Sequence, residues 1–183
     1  MAVYIINGEQ FEAQEGESIM EVGRRNGAHQ GFICSGRGFC TYCECKVVEG
    51  AEYLNPVTGT EKARLSPERL ESGSRLACRS AITGPNGTVS VVTRAEKIKR
   101  QFVGIFTAPT LERKNNNLLD LASSIVQVSV DGITILPFVL GGITSGKVKP
   151  KTLNPLNGLG SLVRDGQKVL SHQLGLDHPA EKK

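Results

Sequence analysis

The 183-residue sequence has no tryptophan, only 5% aromatic residues, and no cysteine beyond position 78. It also lacks an unbroken apolar run of about 18 residues, the length a membrane-spanning helix requires. The opening stretch MAVYIINGEQF has neither a basic leading segment nor an apolar core, so it is not expected to act as a secretory signal. Charge of one sign is missing as well, since 22 Lys and Arg face 18 Asp and Glu. Charged residues at 22% lie near the usual quarter, which disfavours both global disorder and an extended coiled coil. There is no phosphate loop: Gly8, Gly16, Gly23 and Gly27 lead to no Lys-Ser/Thr pair, and Ser145-Gly146-Lys147 is followed by Val148. His29, His172 and His178 have no metal-ligand spacing and read as ordinary surface residues. Nucleic-acid binding is not expected either. The lysines of the basic half are dispersed, and its only aromatics are Phe102, Phe106 and Phe138.

What is present is unevenly distributed. Residues 1–97 hold 11 basic and 12 acidic residues, net −1, and all five cysteines; residues 98–183 hold 11 basic and 6 acidic, net +5, and none. Two domains are therefore expected, 1–97 and 98–183. In a chain without a secretion signal the thiols stay reduced, and clustered cysteines bind metal more often than they form disulfides.

The first part reads as an α+β domain. Val3-Tyr4-Ile5-Ile6 and Glu9-Gln10-Phe11-Glu12 flank Asn7-Gly8, the signature of a hairpin with a type I′ turn. Ser18 and Glu21 have capping-box spacing, Ile19, Met20 and Val22 supply a core face, and Gly27 ends the short helix. Val47 and Val48 predict a strand, Ser66-Pro67 a helix start, and Thr88 to Thr93 a strand after the turn at Pro85-Asn86-Gly87. The domain should end near Thr93, with the charged stretch 94–100 as a linker.

The chemistry-bearing feature is Cys34-Ser-Gly-Arg-Gly-Phe-Cys40-Thr-Tyr-Cys43, with Cys78 far downstream. Three thiolates on one short loop converge only if the loop curls around a metal, and Gly36 and Gly38 permit that curling while bringing backbone N–H groups near the sulfurs. Structural zinc is the competitor, but it usually draws on two closely spaced pairs, and here only Cys40 and Cys43 have that spacing. Cys45 stands at the start of a predicted strand, where a small buried residue is ordinary, although it offers an alternative to Cys43. Arg37 and Arg79 flank ligand positions and are candidates for raising a cluster's potential.

The C-x5-C-x2-C loop together with Ser74-Arg75-Leu76-Ala77-Cys78 resembles the adrenodoxin-type 2Fe-2S ferredoxins over roughly residues 1–94. That resemblance implies a β-grasp fold and a 2Fe-2S cluster on Cys34, Cys40, Cys43 and Cys78, with Cys34 and Cys40 on the outer iron and Cys43 and Cys78 on the inner one. It implies a non-enzymatic one-electron carrier. One departure is visible: where the family presents an acidic helix, Glu61-Lys62-Ala63-Arg64 through Pro67-Glu68-Arg69-Leu70-Glu71 alternates in sign, so steering by a single-sign field is weak.

The aliphatic segment beyond Asn117 has two competing periods. On a helix over 117–134, about 27 Å long, Asp120, Ser124, Gln127, Asp131 and Thr134 form one polar stripe. Alternatively Val126-Gln127-Val128-Ser129-Val130 and Ile133-Thr134-Ile135 flank Asp131-Gly132 as a β-hairpin after a shorter helix. Both leave a broad apolar face, with Val126 and Val128 on it, and the two aspartates make spanning a bilayer costly. Lying in a lipid interface or packing into a homo-oligomer would keep the polar stripe wet, with Lys147, Lys149 and Lys151 meeting headgroups.

A 2Fe-2S domain followed by such a tail resembles the iron-sulfur proteins of the chlorosome envelope in green sulfur bacteria, on Phe102-Val103-Gly104-Ile105-Phe106 and the aliphatic segment. This implies attachment to the envelope lipid monolayer and other envelope proteins, on the cytoplasmic side of the cell membrane, and redox control of bacteriochlorophyll antenna energy transfer. The alternatives are a ferredoxin component donating electrons to a reductase or oxygenase, with the tail as docking module, and a structural envelope protein whose cluster serves folding.

Overall fold

The computed structural model describes residues 1–31, 33–34, 36–144, 163, 167–172 and 174, without the side chains of 135 and 138–143. Lys147, Lys149, Lys151 and His178 lie outside the described residues.

Strands β1 (Ala2–Ile6) and β2 (Glu9–Ala13) pair antiparallel, Ala2 opposite Ala13 and Ile6 opposite Glu9, around Asn7 at φ 59° and Gly8 at φ 99°. Those positive angles are what a type I′ turn demands. Helix α1 (Ile19–Asn26) starts with both bonds of the Ser18/Glu21 capping box and ends at Gly27 in the left-handed conformation. It buries Ile19, Met20 and Val22.

Strand β3 (Glu44–Glu49), helices α2 (Gly59–Arg64) and α3 (Pro67–Glu71), and strands β4 (Ser74–Leu76) and β5 (Gly87–Thr93) follow. The sheet order is β2-β1-β5-β3-β4, with β5 parallel to β1 and antiparallel to β3. This is a five-stranded β-grasp with α1 packed on the sheet, an α+β fold. Tyr4, Ile6, Ile19, Leu76, Val89 and Val91 are fully buried at its centre. Each aliphatic member contributes roughly 1.5–3 kcal/mol of burial.

Beyond β5 the structure departs from expectation. The charged stretch 94–100 is not a linker but the start of helix α4 (Arg94–Thr107), which straddles the expected boundary at Lys97. The cause is local: Thr93, the last strand residue, accepts from the Glu96 backbone N–H and so caps a helix directly on the end of β5. Three residues later helix α5 (Leu111–Thr144) begins, 34 residues and about 51 Å long. The helical reading of 117–134 therefore stands, and the hairpin around Asp131-Gly132 does not form. No helix among the described residues is long and apolar enough to cross a membrane.

Asp131 accounts for the choice between the two periods. Its carboxylate accepts from Arg94 Nη1 at 2.7 Å, Thr41 Oγ1 at 2.9 Å and Arg69 Nη1 at 3.1 Å, and it is only 7% exposed. A turn there would give up three partners that only the helical backbone aligns. The seam between α4 and α5 includes polar and small residues: Ser124 Oγ donates to Gln101 Oε1 at 2.9 Å, and a Cβ on Gly104 would lie 2.6 Å from the Asn117 amide nitrogen. Of the polar stripe, Asp131 is buried and Ser124 half-buried against the protein, while Asp120, Gln127 and Thr134 remain exposed. Phe106 (70% exposed), Leu119 (68%), Val126 (61%) and Ile133 (66%) point outward, whereas Val128 is half-buried, contrary to its expected place on the outer face.

Asp131→Asn should loosen this docking, because it leaves two buried guanidinium groups short of a countercharge. The expected loss is about 3 kcal/mol. Amide hydrogen exchange should accelerate in α5 while β1 and β5 stay protected, and unchanged exchange in α5 would refute the role given to Asp131.

Candidate metal centre

The loop between α1 and β3 and the turn after β4 bring four sulfurs together as two pairs. Cys40 Sγ lies 3.2 Å from Cys34 Sγ, and Cys43 Sγ lies 3.5 Å from Cys78 Sγ. Cys40 and Cys43 are buried, while Cys34 and Cys78 are half-buried. Among the described residues no three His, Cys, Asp or Glu side chains converge on one point for a single ion. Two pairs of thiols are a donor set that a two-iron centre can use, one pair to each iron.

Backbone donors reinforce the pairs. The N–H groups of Arg37, Phe39 and Cys40 donate toward the Cys34 sulfur, and that of Gly38 toward Cys78. The Cys40 thiol and these amides hold the Cys34 thiol well below its ordinary range, whereas Cys40 is pushed up as the proton-bearing partner. Cys78 is likewise lowered, mainly by the Cys43 thiol, and Cys43 is raised. The loop is therefore built for negative charge on sulfur. Gly38 adopts φ 76° and has no room for a side chain, because a Cβ would meet Arg79 Nε at 2.7 Å and Thr60 Cγ2 at 2.8 Å. Arg79 Nε is itself buried without a hydrogen-bond partner among the described residues.

Cys45 belongs to neither pair. It is 1% exposed in β3, its thiol donates to the Arg75 carbonyl at 3.7 Å, and burial pushes it up to about 12. Arg37 is exposed. His29 Nδ1 lies 3.0 Å from the Glu96 carboxylate and His172 Nδ1 3.4 Å from that of Glu9, so each has a carboxylate partner away from the cysteines.

The turn carrying Cys78 hangs on Glu61, which the sequence reading treated as a surface charge. Glu61 is completely buried. It accepts from Arg75 Nε at 2.8 Å, Leu76 N at 3.0 Å, Ser80 Oγ at 3.2 Å and Thr58 N at 2.8 Å. A signal for it exists in the sequence, since Thr58-Gly59-Thr60-Glu61 is a second capping box. Arg69, also counted as a surface charge, is tied to Glu44 and Asp131. The link from Asp131 to Thr41, which sits between Cys40 and Cys43, had no local signal, because 90 residues separate the partners.

Residues 4–83 match the family described as the 2Fe-2S iron-sulfur cluster binding domain. The chain is 35% identical over 85 residues to 2Fe-2S ferredoxin-5 of Aquifex aeolicus, covering 46% of this chain and 88% of that protein. It therefore belongs to the 2Fe-2S ferredoxin family, and its cofactor is a 2Fe-2S cluster. The chain is also 40% identical over 105 residues to chlorosome protein I of Chlorobaculum tepidum, covering 57% of this chain and 41% of the relative. To chlorosome protein J of the same organism it is 32% identical over 164 residues, covering 88% of this chain and 66% of the relative. The chain thus spans less than two thirds of the length of either chlorosome relative.

Glu61→Gln should cost about 3 kcal/mol by stranding Arg75. Burial raises the Glu61 carboxyl, but the bonds from Arg75, Thr58 and Leu76 outweigh it and hold the carboxyl below the ordinary 4.5. A lowered native pKa gives stabilisation that is complete above 4.5 and disappears as pH falls through the lowered value. Urea unfolding midpoints of the wild type should therefore drop in that acid window, and those of Glu61→Gln should start lower and show a shallower drop.

Proposed function

We propose that the chain is a one-electron carrier and redox sensor whose cluster is held by Cys34, Cys40, Cys43 and Cys78, attached to the chlorosome envelope and acting in redox control of antenna energy transfer. Residues 1–97 supply the cluster site and 98–183 the attachment. The cluster, when bound, supplies a one-electron couple at low potential. This chain's residues supply paired thiols, backbone donors to the sulfurs, and a buried glutamate that fixes the remote cysteine.

The observation that carries the attachment is the aliphatic outer side of the α4–α5 pair, whose seam includes Gln101, Gly104, Asn117 and Ser124. Small and polar seam residues hold helices together where the surrounding medium is itself apolar, because burial between the helices then offers no advantage over burial in lipid. The outward face, from Phe102 and Phe106 to Ile133 and Leu136, is more apolar surface than a lone soluble domain ordinarily exposes. Asp131 is sheltered, while Asp120 is exposed, which suits a helix lying in an interface better than one crossing it. The similarity to chlorosome proteins I and J supports the envelope as the surface in question.

Two measurements test this reading. Iron and sulfide analysis of the five single Cys→Ser variants should show loss of the cluster at positions 34, 40, 43 and 78 and normal content in Cys45→Ser. Normal content in Cys43→Ser with loss in Cys45→Ser would reverse the assignment. Flotation with lipid vesicles should carry the wild type upward, while Val126→Asp with Ile133→Asp stays at the bottom with its visible spectrum intact. Should the double variant float like the wild type, or should the wild type instead form a stable complex with a soluble reductase, the attachment reading is wrong.

A further inference from the structure

The cluster loop has one guanidinium packed against its backbone. Arg79 directly follows Cys78, and its Nε and Nη2 would lie 2.7 and 2.9 Å from a Cβ on Gly38, so the side chain packs against the loop backbone at Gly38. Its backbone is fixed on both sides: the N–H donates to the Leu76 carbonyl at 2.8 Å, and the carbonyl accepts from Asn55 Nδ2 at 3.1 Å. The Nε donor is buried without a partner among the described residues. An unmet buried donor costs about 1–3 kcal/mol, so its retention needs an explanation. Arg37, the other cation of the loop, is exposed, and its field is screened by water and salt.

We propose that Arg79 sets the reduction potential of the centre, by holding a fixed positive charge and an N–H donor against the Cys78 side of the loop. The inference rests on the ligand set given above. Adding one electron leaves the centre one unit more negative, and a nearby fixed cation stabilises that state more than the oxidised one. Hydrogen bonds to the sulfurs act in the same direction. Arg79 is thus a positioning residue for charge and not a ligand.

The test is a potentiometric titration of the full-length, cluster-loaded protein, following the signal of the reduced cluster by electron paramagnetic resonance. Arg79→Gln should lower the ratio of reduced to oxidised cluster at a fixed ambient potential about tenfold, which for a one-electron couple is a shift of about 59 mV to more negative values. Arg79→Lys, which keeps the charge, should change that ratio by no more than about twofold, and Arg37→Gln should change it little, as expected from screening. An unshifted midpoint in Arg79→Gln with full iron and sulfide content overturns the proposal. A tenfold change in Arg79→Lys overturns it as well, and that result is readable even if the Gln variant fails to retain its cluster. Failure of the ligand set would show separately, as altered metal content in the cysteine variants with the Arg79 dependence still measurable.

Discussion

The buried pair of Glu61 and Arg75 is the constraint on which the metal centre depends. A tetrad of thiols needs its fourth member, Cys78, brought to a loop more than thirty residues away, and no hydrophobic contact alone fixes a short turn to a fraction of an ångström. Glu61 does so by collecting the Arg75 guanidinium, the Leu76 amide and the Ser80 hydroxyl from one side of that turn, with Thr58 from its own helix. Arg75 in turn donates to the Asn55 carbonyl, and Asn55 accepts from the Ala81 amide at 2.6 Å. Each polar group removed from water is thereby met, which is the condition under which a buried ion pair specifies geometry rather than simply costing stability.

A second charged group repeats this logic at the junction with the C-terminal helices. Arg69 from α3 and Arg94 from α4 each reach both Glu44 and Asp131. Two cations between two carboxylates make a neutral knot that ties α5 to the strand beginning just after Cys43. The helix pair is then free to be apolar on its outer side, because its orientation is decided by the polar residues of the inner side. An ordinary amphipathic surface helix is oriented the opposite way, by burying its apolar stripe.

Much of the cluster domain was legible because its signals are local. Asn7-Gly8, the Ser18/Glu21 box, Gly27 and Ser66-Pro67 each act within four residues, and each appears where its chemistry requires. The cysteine spacing carried the site for the same reason, since three of its members share one loop. Glu61 was misjudged because sign alternation along α2 and α3 says nothing of which charges turn inward; only the fold places Arg75 opposite it. The stretch 94–100 was misread because its charges suggested exposure, while the Thr93-x-x-Glu96 cap that starts a helix spans the supposed boundary. Along α5, period 2 and period 3.6 both fitted the aliphatic residues, and the decision lay with partners of Asp131 contributed by three distant elements.

The placement of charge around the centre separates two properties that the chain must combine. On the Cys43 side, Glu44, Asp131, Arg69 and Arg94 compensate one another, so the field they project falls off quickly, as that of a closed set of opposed charges must. On the Cys78 side, Arg75 is neutralised by Glu61, and Arg79 is left with its Nε unmatched among the described residues. Anchoring contacts therefore run through groups whose net charge is zero, while the fixed charge facing the sulfurs belongs to a residue that takes no part in holding the helices.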